Sequence, residues 1–162
     1  GTNDLAAELG APQRPGRPAL LPHIAHALLA ARAHGLAVLD GTWNDLDDRK
    51  GLQGECRQGR EMGFDGKTLV HPTQVTIAND VYAPDPEELA WSRKVFHAFA
   101  VPGNSALEVL QLSGRMVERL HERSARRMIA LADAIAALDK EMAALAGATA
   151  RRRLTPAARS GS

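Results

Sequence analysis

Residues 63–72 read Gly63-Phe64-Asp65-Gly66-Lys67-Thr68-Leu69-Val70-His71-Pro72, and they constrain the fold more tightly than any other stretch. The glycines permit a tight turn and 67–70 is the length of a short strand. His71-Pro72 stops it, because a residue before proline is pushed to extended backbone and the proline offers no amide to a neighbouring strand. The same order occurs upstream. Leu20, Ile24 and Leu28 follow a helical period across 19–34, Gly35 ends the pattern, and Leu36-Ala37-Val38-Leu39 runs into Asp40-Gly41. Helix, glycine, short apolar strand and polar residue, twice in succession, predict the βα alternation of a parallel sheet covered on both faces.

The flanking segments fit that alternation. Asn3 or Asp4 is placed to cap a short helical turn ended by Gly10, and the prolines and arginines of 11–18 predict a loop. An aspartate-rich segment over 42–50 precedes a helix at 52–62. Another helical region follows Pro72, and a further helix spans 85–100 with Pro86 in its first turn and Leu89, Ser92, Phe96 and Phe99 on one face. Beyond Pro102-Gly103 the chain becomes alanine-rich and charged. Across 114–146 a long helix is predicted, with Met128, Leu131, Ile135, Leu138, Met142 and Leu145 in a narrow seam of the kind helices use to pack on one another. That seam docks either on its own domain or on a neighbouring subunit. Three parts follow: a parallel-sheet unit over 1–102, a helical extension over 103–147 and a flexible tail over 148–162.

In such architectures chemistry gathers at the carboxyl ends of strands, where Asp40 and His71 fall. Either residue could equally serve by satisfying nearby backbone, and Asp4 could be no more than a cap. His23 and His26 lack companions that would complete a metal site, Cys56 lacks an activating partner, and no phosphate loop, nucleophile elbow or zinc spacing is present. With 20 Lys+Arg against 19 Asp+Glu there is no charge excess to favour nucleic acid or an anionic membrane. The Arg151-Arg152-Arg153 run has no interleaved aromatics. A lone cysteine and the lack of a long apolar run predict an intracellular, cytoplasmic protein that uses neither nucleic acid nor membrane.

Four stretches stand out: Gly1-Thr2-Asn3-Asp4-Leu5; Leu39-Asp40-Gly41 followed by Asp48-Arg49-Lys50-Gly51-Leu52; residues 63–72 extended by Thr73-Gln74-Val75; and Gly114-Arg115-Met116-Val117-Glu118. Together they resemble the citrate lyase beta-subunit-like group of the HpcH/HpaI aldolase superfamily, which includes malyl-CoA lyases. The resemblance covers roughly 1–135. It implies an α/β fold that is the C-terminal part of a (β/α)₈ TIM barrel, from the end of strand six through strand eight, followed by a helical extension. On this reading the chain is an incomplete piece, inactive alone, whose upstream glutamate ligand and substrate-binding arginine lie outside it.

The activity implied is Mg²⁺-dependent lysis of a malyl-CoA- or citryl-CoA-like ester, releasing an acyl-CoA and a 2-oxo acid. The alternatives are a malyl-CoA-type thioesterase and a non-catalytic oligomerisation piece. Carried over residue by residue, Asp4 is a metal ligand and Glu118 is the acid/base, offered by a neighbouring subunit of a trimer or hexamer. Val70, His71, Pro72 and Asp40 line the CoA and substrate channel, the His71-Pro72 turn through its backbone more than its imidazole. Glu118 could instead be a surface charge beside Arg115 and Arg119.

Overall fold

The computed structural model describes residues 1–154, with side chains through 146. It divides into two compact units, Gly1–Ala83 and Pro84–Ser162. The boundary expected at 102 therefore falls inside the second unit.

The first unit runs α1 (Thr2–Leu9), α2 (Leu21–Ala33), β1 (Leu39–Asp40), α3 (Arg49–Met62), β2 (Gly66–Lys67), a 3₁₀ turn (Pro72–Gln74) and α4 (Val75–Tyr82). β1 and β2 pair in parallel, with Leu39 opposite Gly66 and Asp40 opposite Lys67, and α3 connects them. This is the predicted alternation with far shorter strands, and no barrel closes among the described residues. Side chains take over the ladder at both ends. The Asp65 carboxylate accepts from the Val38 amide at 2.7 Å, ahead of β1. Beyond β2, Thr68 still donates to the Asp40 carbonyl at 3.0 Å, but the Val70 amide turns to Gln74 Oε1 at 3.0 Å. The strand expected over 67–70 ends at that diversion.

Two apolar clusters hold the unit: Ala6, Leu20, Ile24, Leu28 and Phe64 on one side, Leu52, Cys56, Ala78 and Val81 on the other. Cys56 is fully buried, and burial pushes its thiol up from the ordinary range, as suits a packing residue rather than a nucleophile. The capping expected of Asn3 or Asp4 does not occur. Gly1 is the N-cap of α1 and no side chain caps it; both residues stand inside the first turn. Two of the aspartates of 45–48 are spent locally: Asp45 accepts from the Asp47 and Asp48 amides at 3.0 and 3.1 Å, and Asp48 caps α3 through the Gly51 amide at 2.8 Å.

The second unit comprises α5 (Pro86–Ala100), a 3₁₀ turn (Pro102–Asn104), the hairpin β3 (Val109–Leu112) and β4 (Arg115–Glu118), and α6 (Arg119–Leu154). Asp85 caps α5 by accepting from the Glu87 and Glu88 amides at 2.8 and 3.1 Å. The hairpin corrects the helix expected from 114: Ser113 and Gly114 both take positive φ, 51° and 77°, the geometry of a two-residue turn whose twist matches its strands. Exposed and half-buried residues alternate along β3, and β4 buries Val117 beside an exposed Met116. Val95 and Phe99 of α5 pack with Val117 of β4 and Ala125 of α6. Arg115, Arg119 and Arg126 lie over Trp91, Phe99 and Phe96, at 5.1, 4.6 and 5.2 Å from the ring centroids. These contacts explain why α5 belongs with the hairpin rather than with the first unit. α6 continues to Leu154, into the segment expected as a tail; the rest of that tail, 155–162, lies outside the described residues.

Candidate functional site

The centre of the first unit is a buried cluster of four charges. Because Asp40 and Lys67 face each other across the strand pair, Lys67 Nζ donates to Asp40 Oδ2 at 3.1 Å, and it also reaches Glu55 Oε1 at 2.7 Å. Arg17 enters from the loop before α2, with Nη1 on Asp40 Oδ1 at 2.6 Å and Nε at 3.4 Å from Glu55 Oε2. Asp40 is 1% exposed, and Arg17, Glu55 and Lys67 are each under a tenth. Two cations thus meet two anions with the charge balanced, the condition under which ions tolerate burial. Beside the cluster, Tyr82 Oη is buried without a hydrogen-bond partner among the described residues, and burial, reinforced by the Asp40 charge, pushes its hydroxyl far up from the usual range.

The cluster sets the carboxyl end of β1. Asp40 Oδ1 also accepts from the Gly41 amide at 2.8 Å, turning the chain into the 41–48 loop. Gly41 passes so close to Thr2 that a Cβ there would collide with the threonine side chain, so α1 begins directly against the strand end. Asn3 completes the junction. Its Nδ2 donates to Asn44 Oδ1 at 3.1 Å and to Thr42 Oγ1 at 3.3 Å, while its Oδ1 accepts from Asn44 Nδ2 at 2.9 Å and Gln13 Nε2 at 3.1 Å. Asp4 is exposed, and its carboxylate lies over Gly1, where a Cβ would come within 2.5 Å of Oδ2.

Two cavities open at this end. The larger, about 290 Å³, has Pro12, Gln13, Trp43 and Asn44 among its walls and Arg17 and Glu55 among its lining. The smaller, about 200 Å³, is lined by Gly1, Thr2, Asp40, Gly41 and Thr68 among others. Among the described residues no group of three or more His, Cys, Asp or Glu side chains is set to hold a metal.

The structure therefore gathers Asp4 and Asp40 around one strand end, but in different conditions. Asp4 offers a solvent-facing carboxylate. Both Asp40 oxygens are engaged by Arg17, Lys67 and Gly41, so the residue expected to touch substrate is occupied as a buried anchor. Val70, His71 and Pro72 are exposed. The His71 ring bonds within its own turn, Nδ1 lying 2.9 Å from Thr73 Oγ1 and accepting from the Thr73 amide at 3.3 Å. Gln74, 2% exposed, fixes that turn: Oε1 accepts from the Val70 amide and Nε2 donates to the Trp43 carbonyl at 3.0 Å, linking the turns after the two strands.

Glu118 lies in the other unit, half-buried at the end of β4. The arginines that could have neutralised it are used elsewhere. Arg115 and Arg119 stack on rings, and Arg119 also bonds the carbonyls of Asn104 and Ser105 and the carboxylate of Glu122. Glu122 is the neutralised carboxylate, held below its ordinary range by Arg126 and Arg119. No hydrogen bond or ion pair among the described residues engages the Glu118 carboxylate; its backbone amide donates to His121 Nδ1 at 2.9 Å. Arg17, Glu55, Lys67 and Gln74 have no role legible in the sequence, and Asn3 only that of a helix cap. Lys67 and Gln74 carried the faintest signals, a lysine inside a strand and a glutamine just past a proline turn.

Residues 1–72 match the family model described as HpcH/HpaI aldolase/citrate lyase. The chain is 49% identical over 137 residues to a (3S)-malyl-CoA thioesterase of Cereibacter sphaeroides, covering 85% of this chain and 48% of that protein. It is 35% identical over 114 residues to the citrate lyase subunit beta of Leuconostoc mesenteroides, covering 70% and 38% respectively. The chain thus spans about half the length, or less, of these curated relatives. Among solved structures, CitE from Mycobacterium tuberculosis, in complex with magnesium, acetoacetate and coenzyme A, superposes with a TM-score of 0.64 at 33% identity, over 81% of this chain and 49% of that one. Motif, relatives and solved structure agree that the chain belongs to the HpcH/HpaI aldolase/citrate lyase family.

Proposed function

We propose that the protein carrying these residues acts on a malyl-CoA-like thioester in a Mg²⁺-dependent site at the carboxyl ends of barrel strands, and that the reaction is thioester hydrolysis. The observation that carries this reading is the 49% identity with a malyl-CoA thioesterase, well above the 35% with a citrate lyase subunit. It favours hydrolysis over the carbon–carbon cleavage that the motifs first suggest. Lysis remains the second reading, supported by the citrate lyase subunit itself.

Asp4 fits the metal. Mg²⁺ takes hard oxygens in an octahedral shell, keeps several waters and uses one or two protein carboxylates besides substrate oxygens, so one exposed carboxylate is an appropriate contribution. When bound, the cation would polarise a substrate carbonyl and stabilise negative charge developing on it. The chain's own residues do the rest. The Asn3 and Asn44 amides hold the turn that carries Asp4, and the 70–72 turn, braced by Gln74, offers exposed backbone to the extended arm of the thioester. Glu118 moves the proton: for hydrolysis it takes one from the water that attacks the thioester carbon and returns it to the departing sulfur as the carbon–sulfur bond breaks. We propose, as in the sequence reading, that the protein is a homo-oligomer in which Glu118 serves a neighbouring subunit's site. The seam of α6 supports this, since Leu131, Leu138, Met142 and Leu145 stand about half exposed, at 47–59%.

The test is an assay of the full-length protein with malyl-CoA for free thiol and glyoxylate in parallel. Thiol and malate without glyoxylate are expected. Stoichiometric acetyl-CoA and glyoxylate would turn the assignment to the lyase. No turnover, with or without added Mg²⁺, sinks both.

A further inference from the structure

The loop before α2 forms one wall of the larger cavity, through Pro12, Gln13 and Pro15, and it is held in an unusual way. Gly16 and Arg17 are consecutive left-handed residues, with φ of 77° and 53°. A bulky side chain resists that conformation, so it persists only where the surroundings over-determine it. Here Gln58 of α3 supplies much of that constraint. Its Oε1 accepts from Arg17 Nε and Nη2 at 3.0 and 2.8 Å, and its Nε2 donates to the Gly16 carbonyl at 3.0 Å. The Arg17 amide closes the turn on the Arg14 carbonyl at 2.9 Å, and the Arg17 carbonyl accepts from Leu20 and Leu21 at the start of α2. One neutral side chain therefore grips both the backbone and the guanidinium of the turn, while Asp40 and Glu55 fix the far side of Arg17.

We propose that the larger cavity receives part of the thioester and that Arg17 and Gln58 are positioning residues: they clamp the 12–15 loop as one wall of that cavity, so that they govern thioester affinity rather than turnover. The clamp rests on the thioester reading above. Neither residue touches the reacting atoms; they act by keeping one wall of the cavity ordered before substrate arrives, which removes an ordering cost from binding.

Arg17→Met is the blunt test, but it strips Asp40 and Glu55 of a partner and endangers folding. Gln58→Met removes the grip without changing the charge balance. In the full-length protein it is expected to raise KM for malyl-CoA about tenfold, the scale of one or two lost hydrogen bonds, with kcat within about twofold of the original. Amide hydrogen exchange over 13–18 should accelerate while the amides of α3 keep their protection. An unchanged KM beside faster loop exchange removes the loop from substrate binding. Unchanged loop exchange removes the clamp. A uniform loss of protection across the unit makes Gln58 merely structural. Failure of the unsubstituted protein to turn over malyl-CoA sinks the thioester reading and this proposal together, whereas turnover with an unaltered KM in Gln58→Met sinks the proposal alone.

Discussion

Lys67→Met is expected to lower the stability of the protein by about 3–5 kcal/mol, the cost of leaving a buried charge without its partner. Lys67 Nζ is the shared donor to Asp40 Oδ2 and Glu55 Oε1, and its side chain is wholly buried. Methionine fills comparable volume, so packing loss is small and the effect is electrostatic. Two anions then face one cation in a place where water cannot screen them. The cluster adds little beyond what four apolar residues could supply; its worth shows when it is broken. The pair Glu55→Gln/Lys67→Met restores equality, one cation against one anion, and should recover a large part of the loss. Urea unfolding of the three proteins decides the matter. A single variant within about 1 kcal/mol of the original, on the scale of an exposed pair, would show that solvent reaches the cluster. A double variant no better than the single would show that the loss comes from shape rather than charge.

That cluster also marks where the sequence stopped being legible. The alternation of helix and short strand could be read because apolar periodicity and the glycines at 35 and 63 are local signals. The Gly10 end of α1 is legible for the same reason. The cluster is not local: Arg17, Asp40, Glu55 and Lys67 come from a loop, two strands and a helix, and only the register of β1 against β2 brings them together. Asp40 stands out in the sequence because it ends a strand, but its partners Arg17 and Lys67 are not legible there. The β3–β4 hairpin is a different failure. Ser113-Gly114 between alternating flanks carried a turn signal, but the helical pattern that follows outweighed it. Gln74 lies within the motif but shows no role there, since its two partners, the Val70 amide and the Trp43 carbonyl, belong to backbone that composition does not describe.

Glu118→Gln should reduce kcat for malyl-CoA by about 10²- to 10⁴-fold with little change in KM, the range for losing a positioned acid or base. The substitution keeps size and hydrogen-bonding capacity, and it spares the amide that donates to His121 Nδ1 and the hairpin pairing with Val109. Stability should therefore hold within about 0.5 kcal/mol, as for a surface change that breaks no ion pair. Glu122 supplies the control: its carboxylate is already held by Arg119 and Arg126, so Glu122→Gln should cost little turnover. If Glu118 serves a neighbouring subunit, two crippled variants complement each other. On the proposed reading Asp4→Asn lacks a metal ligand and Glu118→Gln lacks the proton carrier, but mixed oligomers would contain sites drawing Asp4 from one chain and Glu118 from the next. Unfolding the two together and refolding the mixture should restore part of the activity that neither shows alone. Were both residues drawn from one chain, every site in the mixture would still lack one of them and no activity would return. Undiminished turnover in Glu118→Gln would instead return this residue to the surface charges of β4 and leave the proton carrier to be sought elsewhere.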